Sequence, residues 1–251
     1  MIIDFLGTGT STGVPEVGCT CKVCTSANPK DKRYRASVLI TVEGKNLLID
    51  CGPDFRSQML IRPFAPLHGI LITHEHYDHV SGIDDLRPFC RLGDIDLYVE
   101  HNVKNALEQR LPYCFAEHKY PGVPNLNLVE ITEDKFIVEG VEVLPIRLMH
   151  YRLPILGFRI GGFAYLTDMK TIPEKEYEKL QNLDVLVINA LRREEHISHQ
   201  SLAQALEQVA RIAPKRTYLT HMAHSMGLHN EVEASLPPTV WLAYDGLKIE
   251  I

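Results

Sequence analysis

A single tryptophan, few cysteines, no long apolar run and no surplus of basic charge narrow this 251-residue chain before any motif is read. No stretch approaches the ~20 consecutive apolar residues that span a bilayer, so membrane insertion is not expected. Lys and Arg number 26 against 32 Asp and Glu, a formal charge of −6. Broad nucleic-acid binding needs a basic face, which makes nucleic acid an unexpected partner. The one basic cluster, KDKRYR at 30–35, reads as a solvated loop able to hold a single phosphate group at most. Cys19, Cys21 and Cys24 are grouped, while Cys51, Cys90 and Cys114 are scattered, which is not the spacing of a secreted disulfide framework. The opening MIIDFLG lacks a basic n-region and a cleavage site and reads as a first strand. A cytoplasmic location, with thiols reduced or bound to metal, is the expectation.

What is present is ordinary globular composition, 45% hydrophobic and 23% charged. No repeat or polar linker divides the chain, so residues 1–251 are expected to form a single domain. Alternating or short apolar runs mark strands at 2–6, 37–42, 46–50, 69–73, 95–100, 141–148, 157–160, 163–166, 185–189 and 217–220. Helical signals are fewer: 103–109, 173–181 with a proline at its start, and 198–212 with Ser198 as N-cap. Strands outnumbering helices predict an α/β protein of two sheets packed face to face with helices outside.

The polar residues that follow these strands carry the chemistry. Run 69–73 leads into THEHYDH, which places His74, His76, Asp78 and His79 within six positions. Three later strands run into His150, Asp168 and His221. Strand ends present side chains to a common crevice in layered α/β folds. The spacing suits two ions: His74 and His76 with His150 for one, Asp78 and His79 with His221 for the other, and Asp168 as the bridge. Imidazole mixed with carboxylate favours Zn²⁺, Mn²⁺ or Fe²⁺. An H-E-x-x-H protease helix is excluded, because Asp78 stands where its second histidine belongs. His68, His101 and His118 have no local partner and read as solvated.

That pattern resembles the metallo-β-lactamase superfamily, which implies an αββα sandwich with a binuclear site at one edge. The resemblance also identifies Asp50, which closes a Leu-Leu-Ile-Asp strand end, as an aspartate that orients the site by hydrogen bonds rather than ligating. LGTGTSTGVP at 6–15 is no Walker loop. It resembles the loop of phosphodiesterase branches, and its backbone N–H groups would face a phosphate.

Cys19, Cys21 and Cys24 at C-x-C-x-x-C spacing need one more ligand to close a tetrahedral zinc site, and His224, three residues past His221, is the expected fourth. The combination of glycine-rich loop, C-x-C-x-x-C and Thr-His-x-x-His is similar to the cyclic-phosphate phosphodiesterases of the carbon–phosphorus lyase pathway, which open phosphoribosyl 1,2-cyclic phosphate. The similarity runs from Leu6 to Gly246. It implies two divalent ions, Mn²⁺ or Zn²⁺, beside one structural Zn²⁺, a small-molecule cyclic phosphate as substrate, and a homodimer. The implied reaction is hydroxide attack on phosphorus to give a phosphomonoester. Asp168 takes part at the centre, and His199 is the general acid, with His196 its nearby competitor. The alternatives are a tRNA 3′-processing endoribonuclease, which lacks support because no basic, glycine-rich arm is visible, and a generic metallo-hydrolase of the same fold. A non-catalytic metal scaffold is the rival from outside the enzymes, and the full ligand complement argues against it.

Overall fold

A computed structural model describes all residues, 1–251. The strands are β1 (Ile2–Gly7), β2 (Ser37–Val42), β3 (Lys45–Ile49), β4 (Gly69–Leu71), β5 (Ile95–Val99), β6 (Leu126–Glu130), β7 (Phe136–Val138), β8 (Val141–His150), β9 (Leu153–Ile160), β10 (Phe163–Leu166), β11 (Val185–Asn189), β12 (Arg216–Thr220), β13 (Val240–Leu242) and β14 (Lys248–Glu250). They form two seven-stranded mixed sheets, ordered β14-β1-β2-β3-β4-β5-β6 and β13-β12-β11-β10-β9-β8-β7. The helices are α1 (Phe55–Leu60), α2 (Tyr77–Val80), α3 (His101–Arg110), α4 (Pro112–Phe115), α5 (Leu202–Ile212) and α6 (His229–Glu233).

Period-two alternation assigns each strand residue to a layer. Ile3, Phe5, Val38, Ile40, Leu47 and Ile49 of the first sheet meet Val143, Phe158, Phe163, Tyr165, Val185 and Val187 of the second in the core between the sheets. The intervening residues of the same strands face outwards. Leu48, Ile70, Ile72 and Leu97 pack with Val103 and Leu107 of α3, and Leu186, Ile188 and Leu219 pack with Leu202, Ala205, Val209 and Ile212 of α5. Both faces of each sheet are therefore buried, and the result is the expected four-layer αββα sandwich.

Local chemistry explains the element boundaries. The β2–β3 hairpin closes through Glu43-Gly44, both left-handed, with Val42 opposite Lys45, as a two-residue turn demands. Helix α5 starts at Leu202 rather than at 198. Ser201 accepts from the Gln204 amide while Gln204 reaches back to the Ser201 amide, a reciprocal cap that Ser198 lacks. Ser198 instead donates its amide to Nδ1 of His196 and bonds the same nitrogen through its hydroxyl, which leaves His199 in the loop ahead of the helix. Residues 174–180 wind as a tight 3₁₀ helix, and β6, β7, β13 and β14 extend the sheets beyond the strands read from sequence.

Candidate metal centre

Five strands deliver the site. Asp50 follows β3, the β4 strand leads through Thr73 to His74, Asp168 lies just past β10, and His221 follows β12. His150 is the last residue of β8. Asp78 and His79 lie on α2, one turn of helix that starts directly after His76. Close backbone approach fixes that turn: Cys51 N–H donates to His79 O at 2.7 Å and Gly82 N–H to Cys51 O at 2.9 Å. A Cβ on Gly52 would stand 2.1 Å from Asp78 O, and one on Gly82 would stand 2.1 Å from Gly52 O, so only glycine fits either place.

The side chains gather around Asp168. Its Oδ2 lies 3.6 Å from His74 Nε2 and 3.3 Å from His79 Nε2, while its Oδ1 lies 2.8 Å from His221 Nε2. Asp78 Oδ2 lies 3.2 Å from His79 Nε2 and 3.5 Å from His221 Nε2. His74 Nε2 and His76 Nδ1 face each other at 3.0 Å. Three donor groups thus share one carboxylate: His74 and His76; Asp78, His79 and His221; and His150 with His199. The structure brings His150 to Asp168 and His199, and its ring centre lies 5.1 Å from that of His76. Its Nδ1 meets the Ser198 carbonyl at 3.0 Å, which leaves Nε2 as the free nitrogen.

A layer of hydrogen bonds behind the donors aims them. Asp50 is fully buried and takes three kinds of donor: the Thr73 amide at 2.9 Å, the Thr73 hydroxyl, and His79 Nδ1 at 2.6 Å. A carboxylate only accepts, so Nδ1 of His79 carries a proton and Nε2 turns towards Asp78 and Asp168; burial opposes charge on this ring, but Asp168, Asp78 and Asp50 outweigh it and hold it well above its usual range without a cation. The Thr73 hydroxyl also lies 2.9 Å from His74 Nδ1. Neither Thr73 nor the two glycines carries a signal that a single sequence reveals.

The donor set fits divalent cations. His79 Nε2 and both ring nitrogens of His221 are buried without a hydrogen-bond partner, although carboxylate oxygens surround them. Such orphaned buried groups are costly, and bond lengths of about 2.0–2.2 Å to one ion would set neighbouring N and O ligands about 3–3.5 Å apart, as found here. Charge is concentrated without a cation. Burial disfavours charge on Asp168, but His221 and His79 outweigh it and hold the carboxyl well below its usual range. Burial likewise opposes charge on His221, yet Asp168 and then Asp78 hold it up at about 9. His74 is pushed well down, by burial first and then by His79.

His199 shows how the environment bears on the acid role. Burial, with help from His221, His150 and His196, pushes it down to about 3 against the pull of Asp168. Its resting form is the neutral imidazole, and a proton on it requires further negative charge beside it. His196 stands 5.1 Å away ring to ring, turned towards Ser198. The glycine-rich loop departs from expectation. The amides of Gly9, Thr10, Gly13 and Val14 donate to the carbonyls of Tyr34, Met222, Thr10 and Arg33, so they are not free to cradle a phosphate. A Cβ on Gly9 would stand 2.9 Å from Arg33 Cβ; the glycines serve close packing.

The cysteine loop meets His224 as expected from spacing. Cys19 Sγ and Cys21 Sγ lie 3.4 and 3.2 Å from His224 Nδ1, and all four donors, Cys24 included, fall within 4.8 Å of one another. A tetrahedral zinc with Zn–S of about 2.3 Å and Zn–N of about 2.0 Å sets S and N about 3.5 Å apart. The hydrogen bond from His224 lowers the Cys21 thiol to about 6, a thiolate at neutral pH, while burial raises Cys24 to about 11. A cation is the group that would bring Cys24 to the same thiolate state.

Comparison with known proteins places this geometry. The beta-lactamase superfamily domain profile matches residues 45–222. A crystallised diphosphatase from the PhnP family is 35% identical with a TM-score of 0.93, over 100% of this chain and 97% of that one. Zn²⁺-bound PqqB from Methylobacterium extorquens is 19% identical with a TM-score of 0.82 over 100% of both chains, a likeness of fold. A curated octanoyltransferase of Porphyromonas gingivalis is 48% identical over 247 residues, 97% of this chain and 50% of that protein. The chain thus spans about half the length of that curated relative.

Proposed function

The chain belongs to the beta-lactamase superfamily, whose fold implies divalent metal ions, and we propose that it is a binuclear-metal phosphodiesterase that opens small cyclic phosphodiesters to phosphomonoesters. The observation that carries this is the convergence of His74, His76, Asp78, His79, His150 and His221 on the single carboxylate of Asp168. The 35% identical diphosphatase of the PhnP family supports phosphate chemistry over other hydrolysis. The acyl transfer in the name of the twice-longer relative is not carried over, since this chain covers 50% of that protein.

The residues named would hold two cations, Zn²⁺ or Mn²⁺, and Cys19, Cys21, Cys24 and His224 a third, structural zinc. When bound, the pair supplies Lewis acidity: it acidifies water and screens charge on phosphate oxygens. The chain does the rest. Asp50, itself held by Thr73, accepts from Nδ1 of His79 and aims its Nε2 into the centre, and the Ser198 carbonyl aims Nε2 of His150 in the same way. His199, neutral at rest, takes a proton once a phosphate anion enters beside it and passes it to the departing alkoxide oxygen. A surface without a basic arm suits a small substrate rather than tRNA.

Turnover of bis-p-nitrophenyl phosphate, and then of a panel of cyclic phosphates, tests the proposal. Activity should vanish with chelator and return with Zn²⁺ or Mn²⁺. Metal-loaded protein inert to every diester would refute it.

A further inference from the structure

A cavity of about 510 Å³ adjoins the metal centre, and the mechanism above makes no use of it. Its walls are His76, Tyr77 and Val80 on one side, and Leu107, Arg110 and Leu111 at the end of α3 on the other. His76 is shared: it also belongs to the donor group around Asp168, so the cavity borders the metal centre at that residue. Its size lies within the range of pockets that enclose a drug-sized ligand and exceeds what a bare cyclic phosphosugar fills.

Two features define the occupant. Tyr77 stands between the candidate ligands His76 and Asp78, yet the residue is 71% exposed and has no part in any hydrophobic cluster. An exposed aromatic at the rim of a cavity lined by Val80, Leu107 and Leu111 beside the polar His76, Ser81 and Arg110 offers a stacking face. Arg110 donates to the Glu75 carbonyl and pairs with no carboxylate in the structure, which leaves most of its five N–H donors for a ligand. Apolar walls, a stacking ring and an unpaired planar cation match a flat heterocycle with acceptors at its edge.

We propose that this cavity is the base subsite of the enzyme: the substrate is a phosphodiester that carries a nucleobase-sized planar ring, stacked on Tyr77 and met at its edge by Arg110. The inference deepens the phosphodiesterase reading but is measured without turnover, so the two can fail separately. Calorimetric titration of metal-loaded protein with adenosine 5′-monophosphate and with ribose 5-phosphate compares ligands that differ by the base alone. Wild-type protein should bind the base-bearing ligand at least about tenfold more tightly, the scale of one base–aromatic stack. Tyr77→Ala should erase most of that ratio, and Leu111→Trp, which fills the cavity from its rim, should do the same. Equal affinities in the wild-type protein would overturn the proposal, as would a ratio unchanged in both variants.

Discussion

Replacement of Asp50 by asparagine isolates the orienting layer from the ligands themselves. The carboxylate accepts from His79 Nδ1 at 2.6 Å and from the Thr73 amide at 2.9 Å, at a fully buried position. Asparagine has the same shape but only one accepting oxygen. If that oxygen stays with Thr73, the amide NH₂ faces the Nδ1 proton of His79, and two donors meet. The ring escapes by moving its proton to Nε2, the nitrogen that should bind a cation. Orienting partners of this kind are worth about 10–100-fold in metal affinity, or about 1.4–2.7 kcal/mol.

Fold stability should respond far less to Asp50→Asn. Burial holds the Asp50 carboxyl above its usual range even against His79 and Thr73, so removing the charge relieves a desolvation cost that offsets the lost hydrogen bond. The assay is competition with a chromophoric chelator at pH 7.5, with thermal unfolding in parallel. The expectation is a 10–100-fold loss of affinity at one ion, with full occupancy of the cysteine site and a melting temperature near wild type. Undiminished affinity would refute the tautomer argument. Loss of both metal classes would show that the substitution unfolds the chain instead.

Four further outcomes follow from the geometry. His224→Ala should lose one zinc by elemental analysis and lower the melting temperature by at least ~5 °C, since metal binding energy is folding energy; retention of that zinc would exclude the Cys19–Cys21–Cys24–His224 site. In cation-free protein His221 is held at about 9, above its ordinary ~6.5, so it is protonated at pH 7.5 and must release a proton when an ion takes its lone pair. Calorimetry in buffers of different ionisation enthalpy should detect that proton, affinity should rise as pH climbs towards 9, and pH-independent binding would contradict the assignment. His199→Ala should keep its metals but lose about 10²–10⁴-fold in kcat on an alkyl leaving group; full activity would remove it from the mechanism. Gly52→Ala should displace Asp78, whose carbonyl lies 2.1 Å from the added Cβ, and so weaken metal binding; normal metal content would show that the α2 turn can shift freely.

Much of this was legible because periodicity and punctuation agree. FAYLTD at 163–168 and TYLTH at 217–221 each read as a β-forming run that stops at a carboxylate or an imidazole, so the change of residue type marks both the end of the element and the site. The cysteine spacing was legible for a similar reason, since three thiols within six positions have few other uses. What was hidden depends on choices between near-equivalents. Ser198 and Ser201 both look like caps, and only the reciprocal bond of Gln204 decides for Ser201. The loop at 7–14 looks like a phosphate loop, but partners of its amides come from distant segments, Tyr34 for Gly9 and Met222 for Thr10. Strands as short as β13 and β14 lack the length for a pattern and exist because a longer neighbour pairs with them.

The way the strands end argues that the centre is built around cations. Asp50, Asp168 and His221 all have left-handed backbones, with φ of 62°, 57° and 57°. A further extended residue would have sent each side chain into a core layer on one face of its sheet. The left-handed step turns it off the end of the strand into the crevice instead. For a residue with a side chain that step costs about 1–2 kcal/mol, somewhat less for aspartate. The same residues stand in a buried cluster in which ring nitrogens of His79 and His221 lack hydrogen-bond partners, so backbone strain and unmet polar groups are stored together at one edge of an otherwise well-paired sandwich. Thr73 and the Ser198 carbonyl satisfy the outward-facing atoms, while the inward-facing ones have only the crowded carboxylates of Asp168 and Asp78. Ions seated among the inward-facing lone pairs would offset both at once, which makes metal binding a condition of the site's rigidity as well as of its chemistry.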